Sequence, residues 1–503
     1  GWVDGEYSTV YGWPMAAAAA VLAGWLLGWA STLQLLAAPA AEDRATPVTQ
    51  PAVAAQIDTA QTTANGPAQA ALRTSLSRHV ETMLASLSPA ARRGYEHLTQ
   101  RPYLPADFDR RVMERLAAGV AVESGPSGEQ AVWDIYGLSP NPEEPGQALQ
   151  YVKTAAGEYA MNCFACHGGN TFGVSFPGAP NTSYALQSLV EDVRRVKLQA
   201  KIPLSHMDIG SVFMPLGGSV GTSNAVMFGV ALMNHRDPDL NIVHRMPGNM
   251  LHHDMDAPPW WHFAKKKRLY ADGFAEKSHR GLMQFMLVRQ NGPEKFRGWE
   301  AEFRDVFAFL SEVQAPPYPA TVDDDLAERG RIAFEQHCAG CHGQYGASAK
   351  YPELTIPLAE VGTDPVRWQA LTPEHRRHYG ESWFADYGAQ TTVEAPLGYV
   401  APPLDGIWAS APYFHNGSVP TLWHVLNPTA RPQVWRRTSV DYDFDKLGMT
   451  IELLDTVPPN LTAEQQRQFF DSRRRGKSAT GHDFPDVLSE QEKNAVLEYL
   501  KTL

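Results

Sequence analysis

Five residues, Cys163-Phe164-Ala165-Cys166-His167, recur 175 positions later as Cys338-Ala339-Gly340-Cys341-His342. Cys-x-x-Cys-His is the pattern that holds a c-type haem: two thiols bond the porphyrin, and the His of a short helical turn sits beneath the iron. The chain has 4 Cys, and all of them fall in these two copies. A structural zinc site uses similar Cys pairs but seldom places His directly after both. The pattern predicts two covalently bound haem c groups. Cys163, Cys166, Cys338 and Cys341 are the expected attachment points, and His167 and His342 the iron ligands. No cysteine is left over for a disulfide.

A length of 503 residues leads one to expect two to four domains. The net charge of −12 excludes nucleic acid as a natural partner, because neutralising phosphates needs a cationic surface. The basic run 265–268 (Lys-Lys-Lys-Arg) reads first as a solvated face and second as a set of cations for haem carboxylates. Residues 16–41 are uncharged and apolar, and Ala38-Pro39-Ala40 offers a cleavage site. No Lys or Arg precedes Arg44, so the basic start of a signal is missing, and the run is long enough to span a bilayer. Residues 1–41 are therefore expected to be a signal or membrane anchor. Haem c attachment in bacteria takes place outside the cytoplasmic membrane, which points to a periplasmic or secreted protein.

Residues 42–70, rich in Ala, Thr, Gln and Pro, read as a flexible linker. From Ala71 to about Ala118, Leu76, Val80, Met83, Leu84 and Leu87 recur at helical spacing, with Pro89 and Pro102 dividing two or three helices. Helices are also expected over 184–201, with Leu186, Leu189, Val190, Val193 and Val196 on one side, and over 295–314. Segment 203–260 reads as loop-rich. Its Gly217-Gly218-Ser219-Val220-Gly221 lacks the Lys-Ser/Thr of a phosphate loop and reads as a turn. The proline-rich stretch from Ala315 to Pro319 opens a linker over 315–325. Asp323-Asp324-Asp325 starts a helix leading to the second motif. Gly330 inside that helix is costly unless another helix crosses there. The C-terminal segment supplies one, with the capping box Ser489-x-x-Glu492 and an apolar face of Val496, Leu497, Leu500 and Leu503. The fold class expected is mainly α. It comprises two cytochrome c-type haem domains with long loop-rich insertions, at 71–314 (with an N-terminal helical extension) and 326–503.

The two motifs, followed by the block Ala411-Pro412-Tyr413-Phe414-His415-Asn416-Gly417-Ser418-Val419-Pro420-Thr421-Leu422, resemble the bacterial dihaem cytochrome c peroxidase superfamily over roughly residues 150–503. The lead-in Pro402-Pro403-Leu404-Asp405-Gly406-Ile407-Trp408 and the tail Gly481-His482-Asp483-Phe484 are more similar to its rubber-oxygenase-like branch. The resemblance implies a reactive first haem and a second that holds or relays electrons. The peroxidases place a Met ligand of the second haem where this chain has Thr429. The rubber-oxygenase branch uses a C-terminal His, which implies His482 as the distal ligand of the haem at His342. His415 is implied to lie near the second haem without binding its iron. A capping role for Met207, Met214, Met246, Met250 or Met255 gives way to ordinary gap-filling.

An aromatic relay between the haems is expected from Trp260, Trp261 or Tyr270, since the Trp that the peroxidases place before Asp-Gly is Ala271 here. The acid/base Glu of the peroxidases has no secure counterpart. Gln284 and His279 are the nearest substitutes, and an apolar lining of Phe274, Phe285 or Met286 would suit dioxygen and a hydrophobic substrate. The readings are thus an exported dihaem oxidoreductase using hydrogen peroxide or dioxygen with a small redox protein as partner, a dioxygenase cleaving an apolar polyene, and a non-catalytic dihaem electron carrier.

Overall fold

The structure, a computed structural model, describes residues 66–120, 127–245 and 250–503. These fall within one compact unit, 50–503. The expected signal or anchor at 1–41 and most of the expected linker at 42–70 lie outside the described residues. Helix α1 (Gly66–Ala85) already starts within that linker stretch. The reason is a tertiary contact: Gln69 is buried, and its side-chain amide donates to the Tyr442 carbonyl (2.7 Å) and accepts from the Tyr442 N–H (3.1 Å). Helix α2 (Pro89–Gln100) follows, with Ser88 as N-cap and Pro89 in the first turn, where its missing N–H costs nothing. A third helix, Arg110–Gly119, completes the expected set. Among the described residues no helix is long and apolar enough to cross a membrane.

Two helix crossings organise the chain. The expected helix 295–314 breaks at Trp299 into Pro293–Gly298 and a longer piece that packs on α2. We number the elements that matter here α3 (Phe164–His167), α4 (Leu186–Ala200), α5 (Glu300–Glu312), α6 (Asp324–His337), α7 (Ala339–His342) and α8 (Glu490–Leu500). Where α5 crosses α2, a Cβ on Gly94 would lie 2.1 Å from the Asp305 carbonyl oxygen. Where α8 crosses α6, a Cβ on Gly330 would lie 1.9 Å from the Ala495 carbonyl oxygen. Gly330 therefore lets two backbones touch, which offsets its cost inside a helix. Asp323 caps α6, and the Ser489–Glu492 capping box starts α8. The crossing at Gly94 has no counterpart in the sequence reading.

The chain is helix-rich but more mixed than the expected mainly α fold. Its largest sheet is antiparallel and three-stranded, with β1 (Val434–Asp443) between β2 (Gly448–Leu454) and β3 (Phe469–Asp471). Trp435 pairs with Phe470 across β1 and β3, their rings stacked at 5.2 Å. Arg436 pairs with Glu452 across β1 and β2 (3.0 Å). This sheet reaches residues far upstream. Arg437 donates to the hydroxyls of Thr182 (3.2 Å) and Ser183 (3.1 Å), and Arg467 forms an ion pair with Glu191 of α4 (2.6 Å). The segment expected to be loop-rich also holds two short helices, His206–Phe213 and Ala225–Asn234.

Candidate functional site

The turn of α7 follows α6 directly and carries His342. Its Nδ1 lies 2.8 Å from the carbonyl oxygen of Pro402. A carbonyl can only accept, so Nδ1 holds the proton and donates, leaving Nε2 as a lone-pair donor for a metal. Facing it is His482, with ring centroids 6.1 Å apart and planes at 61°. Two imidazoles on opposite sides of one iron need about 6 Å between ring centres, from about 2 Å per metal–nitrogen bond plus about 1 Å to each centre. The pair fits a haem between the two rings.

Several contacts hold His482 in place. Gly481 and His482 both adopt left-handed backbone (φ 78 and 52). A Cβ on Gly481 would meet the Gly362 carbonyl carbon at 2.1 Å. The His482 N–H donates to the Val361 carbonyl at 2.6 Å. Arg431, nearly buried, donates to the carbonyls of Ala479 (2.8 Å), Gly481 (2.5 Å) and His482 (3.3 Å), and its guanidinium covers the Phe414 ring. Phe414 and Phe484 flank the imidazole. Burial pushes His482 down to about 3, with His342 and Arg431 adding to the effect, so the ring is neutral as a metal ligand must be.

The first motif repeats this geometry on one side only. Helix α3 carries His167, whose Nδ1 donates to the Pro258 carbonyl at 3.0 Å. Trp260 stacks on the imidazole at 5.0 Å and 23°. Burial lowers His167 to about 4. Among the described residues its only ring contact is Trp260, whereas His342 has the second imidazole. A small cleft of about 10 Å³, room for about one water, lies beside Cys166, lined by Tyr184, Ser223, Met255 and Ala257 among others. No disulfide joins Cys163, Cys166, Cys338 or Cys341. Among the described residues no three His, Cys, Asp or Glu side chains converge as a metal-ion cluster requires.

Both acceptor carbonyls belong to the same tripeptide, Ala257-Pro258-Pro259 and Ala401-Pro402-Pro403. Proline lacks an N–H and fixes φ, so each pair presents its carbonyl from a stiff extended segment. This internal repeat is visible in the sequence, but it escapes a search for functional side chains because the working atom is main-chain oxygen. The two segments also touch. His262 Nε2 donates to the Asp405 carbonyl (2.9 Å). A Cβ on Gly406 (φ 58) would come within 3.1 Å of the Trp261 indole nitrogen. Trp260 and Trp261 thus join the segment behind His167 to the one behind His342.

Tyr270 lies elsewhere. It stacks on Phe274 (4.6 Å) and its hydroxyl donates to the Gln284 side-chain carbonyl. Met286 is buried in the same core, while Phe285 is exposed and packs near Gly229. His279 is not in this group: it pairs with Glu300 (3.1 Å), which also binds Arg280. His415 is half-buried against Tyr399, ring centroids 4.3 Å apart, and desolvation lowers it to about 3. Its carbonyl accepts from the Asp256 N–H (2.9 Å), next to the first Ala-Pro-Pro segment.

Of the methionines, Met207 is buried in a side core, Met214 and Met250 pack on the main one, and Met255 lines the cleft; Met246 lies outside the described residues. The glycine turn holds a protein carboxylate. Gly218 N–H and the Thr222 hydroxyl donate to Asp254, which is paired with Lys477 (2.6 Å). In the basic run Lys265 and Lys267 are exposed, as a solvated face requires, and the run also makes local contacts. Lys265 pairs with Asp405 (2.7 Å), and the N–H groups of Lys267 and Arg268 donate to Glu353.

Residues 398–436 match the RoxA-like, cytochrome c-like family model. The match spans Pro402, the Tyr413-Phe414-His415 block and Arg431, and it supports a RoxA-like cytochrome that binds haem c. Two uncharacterised proteins of Sinorhizobium fredii (strain NBRC 101917 / NGR234) are similar to parts of the chain. One, y4iM, is 31% identical over 205 residues, covering 35% of this chain and 45% of that protein. The other, y4iJ, is 29% identical over 260 residues, covering 38% and 41%. The matched stretches thus span less than half the length of either relative.

Proposed function

We propose that the chain is an exported dihaem c-type oxidoreductase in which the two haem sites do different work. Cys163, Cys166 and His167 would hold one haem c, which would supply an iron open to hydrogen peroxide or dioxygen, and Cys338, Cys341, His342 and His482 would hold a second, which would supply electron storage or relay. The observation that carries this reading is the asymmetry of the imidazoles: His342 faces His482, while His167 is backed by Trp260. A site closed by two strong protein ligands transfers electrons, and only an open one admits a small oxidant. The paired crossings at Gly94 and Gly330 favour two cytochrome c-type domains. In this reading the Pro258 and Pro402 carbonyls raise the basicity of the two imidazoles, Trp260 and Trp261 lie on the route between them, and a small redox protein is the outside electron partner.

The polyene dioxygenase reading is favoured by the RoxA-like match. Gln284 and Phe274 offer no proton-transferring group, and His279 is engaged with Glu300. The deciding measurement is the spectrum of the purified protein with cyanide or carbon monoxide. One high-spin haem that binds the added ligand is expected; two inert low-spin haems would leave only an electron carrier. Turnover of hydrogen peroxide with a reduced cytochrome, set against dioxygen with an apolar polyene, then separates the two catalytic readings.

A further inference from the structure

Three charged side chains lie deep in the protein beside the second site. Arg367, Arg376 and Asp272 are 1%, 2% and 1% exposed. The ion pairs of both guanidiniums run to the single carboxylate of Asp272. Arg376 makes the fuller set of contacts, meeting Asp272 at 2.7 Å and the carbonyls of Leu371, Trp368 (3.3 Å) and Glu394 (3.4 Å), with its Nε left without a partner. Arg367 reaches Asp272 only through two contacts of 3.4 Å, and its buried Nε has no partner. The nearby buried carboxylate Asp364 accepts from the N–H groups of Val366 (2.8 Å) and Ser478 (3.0 Å). Both buried cations thus pair with the one carboxylate of Asp272, while Asp364 is held by main-chain N–H groups. A buried charge without a counter-ion is strongly destabilising, and a guanidinium is shaped to take a carboxylate through two parallel bonds.

The surroundings show from where an anion could come. Trp368, next in the chain, donates its N–H to the Tyr399 hydroxyl (3.0 Å) and packs with Cys341, Val361 and Ala401 around the second motif. The positive charge of Arg367 also reaches His415 and His253, helping to keep both rings neutral.

We propose that Arg367 binds a propionate carboxylate of the haem attached at Cys338 and Cys341, supplying the cation that balances it inside the protein. This rests on the two-haem reading above. Asp272 then serves to orient Arg367 and to balance Arg376, a positioning role away from the iron.

The test uses the full-length holoprotein and its Arg367→Gln and Arg367→Lys variants. Covalent haem is counted first from the haemochrome spectrum. Removing a cation beside a haem carboxylate favours the oxidised iron, so Arg367→Gln is expected to lower the reduction potential of the low-spin haem. It should also shift the propionate bending band in the resonance Raman spectrum and leave the other haem unchanged. Arg367→Lys keeps the charge but not the two-bond geometry, so its band shifts while the potential falls less; it serves equally if the Gln variant does not accumulate. Unchanged bands and potentials in a variant carrying both haems overturn the proposal alone, as does a shift confined to the haem at His167. A parent protein without covalent haem overturns the two-haem reading and this inference together.

Discussion

The imidazole of His482 stands 6.1 Å from that of His342, ring centre to ring centre, held there by a loop that Arg431 fastens through three main-chain carbonyls. His482→Ala should convert a low-spin haem into a high-spin one, seen in the visible spectrum and by electron paramagnetic resonance, with haem content unchanged. Gly481→Ala should produce a partial version of the same change. Its Cβ would collide with Gly362 at a left-handed position, moving the loop without touching the ligand. An unaltered spectrum in His482→Ala would remove His482 as a ligand.

The two glycine crossings predict large, localised stability effects. Gly330→Ala and Gly94→Ala each place a methyl about 2 Å from a backbone carbonyl oxygen of the partner helix, and overpacking of this kind costs about 3 kcal/mol. Gly298→Ala, at an exposed position where the Cβ meets nothing within 4 Å, should be nearly neutral. Thermal unfolding of the three variants checks the contrast; equal melting temperatures would mean that the crossings are looser than described.

Lys477 and Asp254 form an ion pair with both side chains almost fully buried. Lys477→Met should destabilise the protein by roughly 3–5 kcal/mol, because Asp254 is left charged and unpaired. Adding Asp254→Asn should recover much of that loss. A double-mutant cycle in denaturant measures it, and additive losses would show that the pair does not act as a unit.

Stability should fall as the solution is acidified below pH 6.5. Burial holds His262 and His424, 4% and 1% exposed, at about 4. Their unfolded counterparts take up a proton near 6.5. The unfolded state therefore binds more protons across that window, and ΔG of unfolding drops as pH drops, by about 3 kcal/mol per ring between pH 6.5 and 4. His424→Gln should flatten the slope by one ring's share; a pH profile identical to the parent's would contradict this.

What could be read in advance was local. The Gly330 crossing was legible because its partners, a capped helix ending at a haem motif and an amphipathic C-terminal helix, each carry their own signal. The matching crossing at Gly94 was hidden because α2 ends at Gln100, far ahead of Cys163, so nothing ties that glycine to the motif it supports. Strand β1 escaped because Arg436 and Arg437 occupy it, making contacts to Glu452, Thr182 and Ser183 that only the folded chain provides. His482 was legible from its tail, whereas Arg431, which places it, looks like any surface arginine.

Main-chain oxygens behind His167 and His342 have one more consequence. A side-chain acceptor can be deleted or exchanged by a single codon change, but every residue retains a carbonyl, so substitution at Pro258 or Pro402 can shift the acceptor but not abolish it. The main-chain acceptor behind each imidazole is thereby retained whatever side chain stands at 258 or 402. His482, which faces His342, is by contrast a single replaceable side chain.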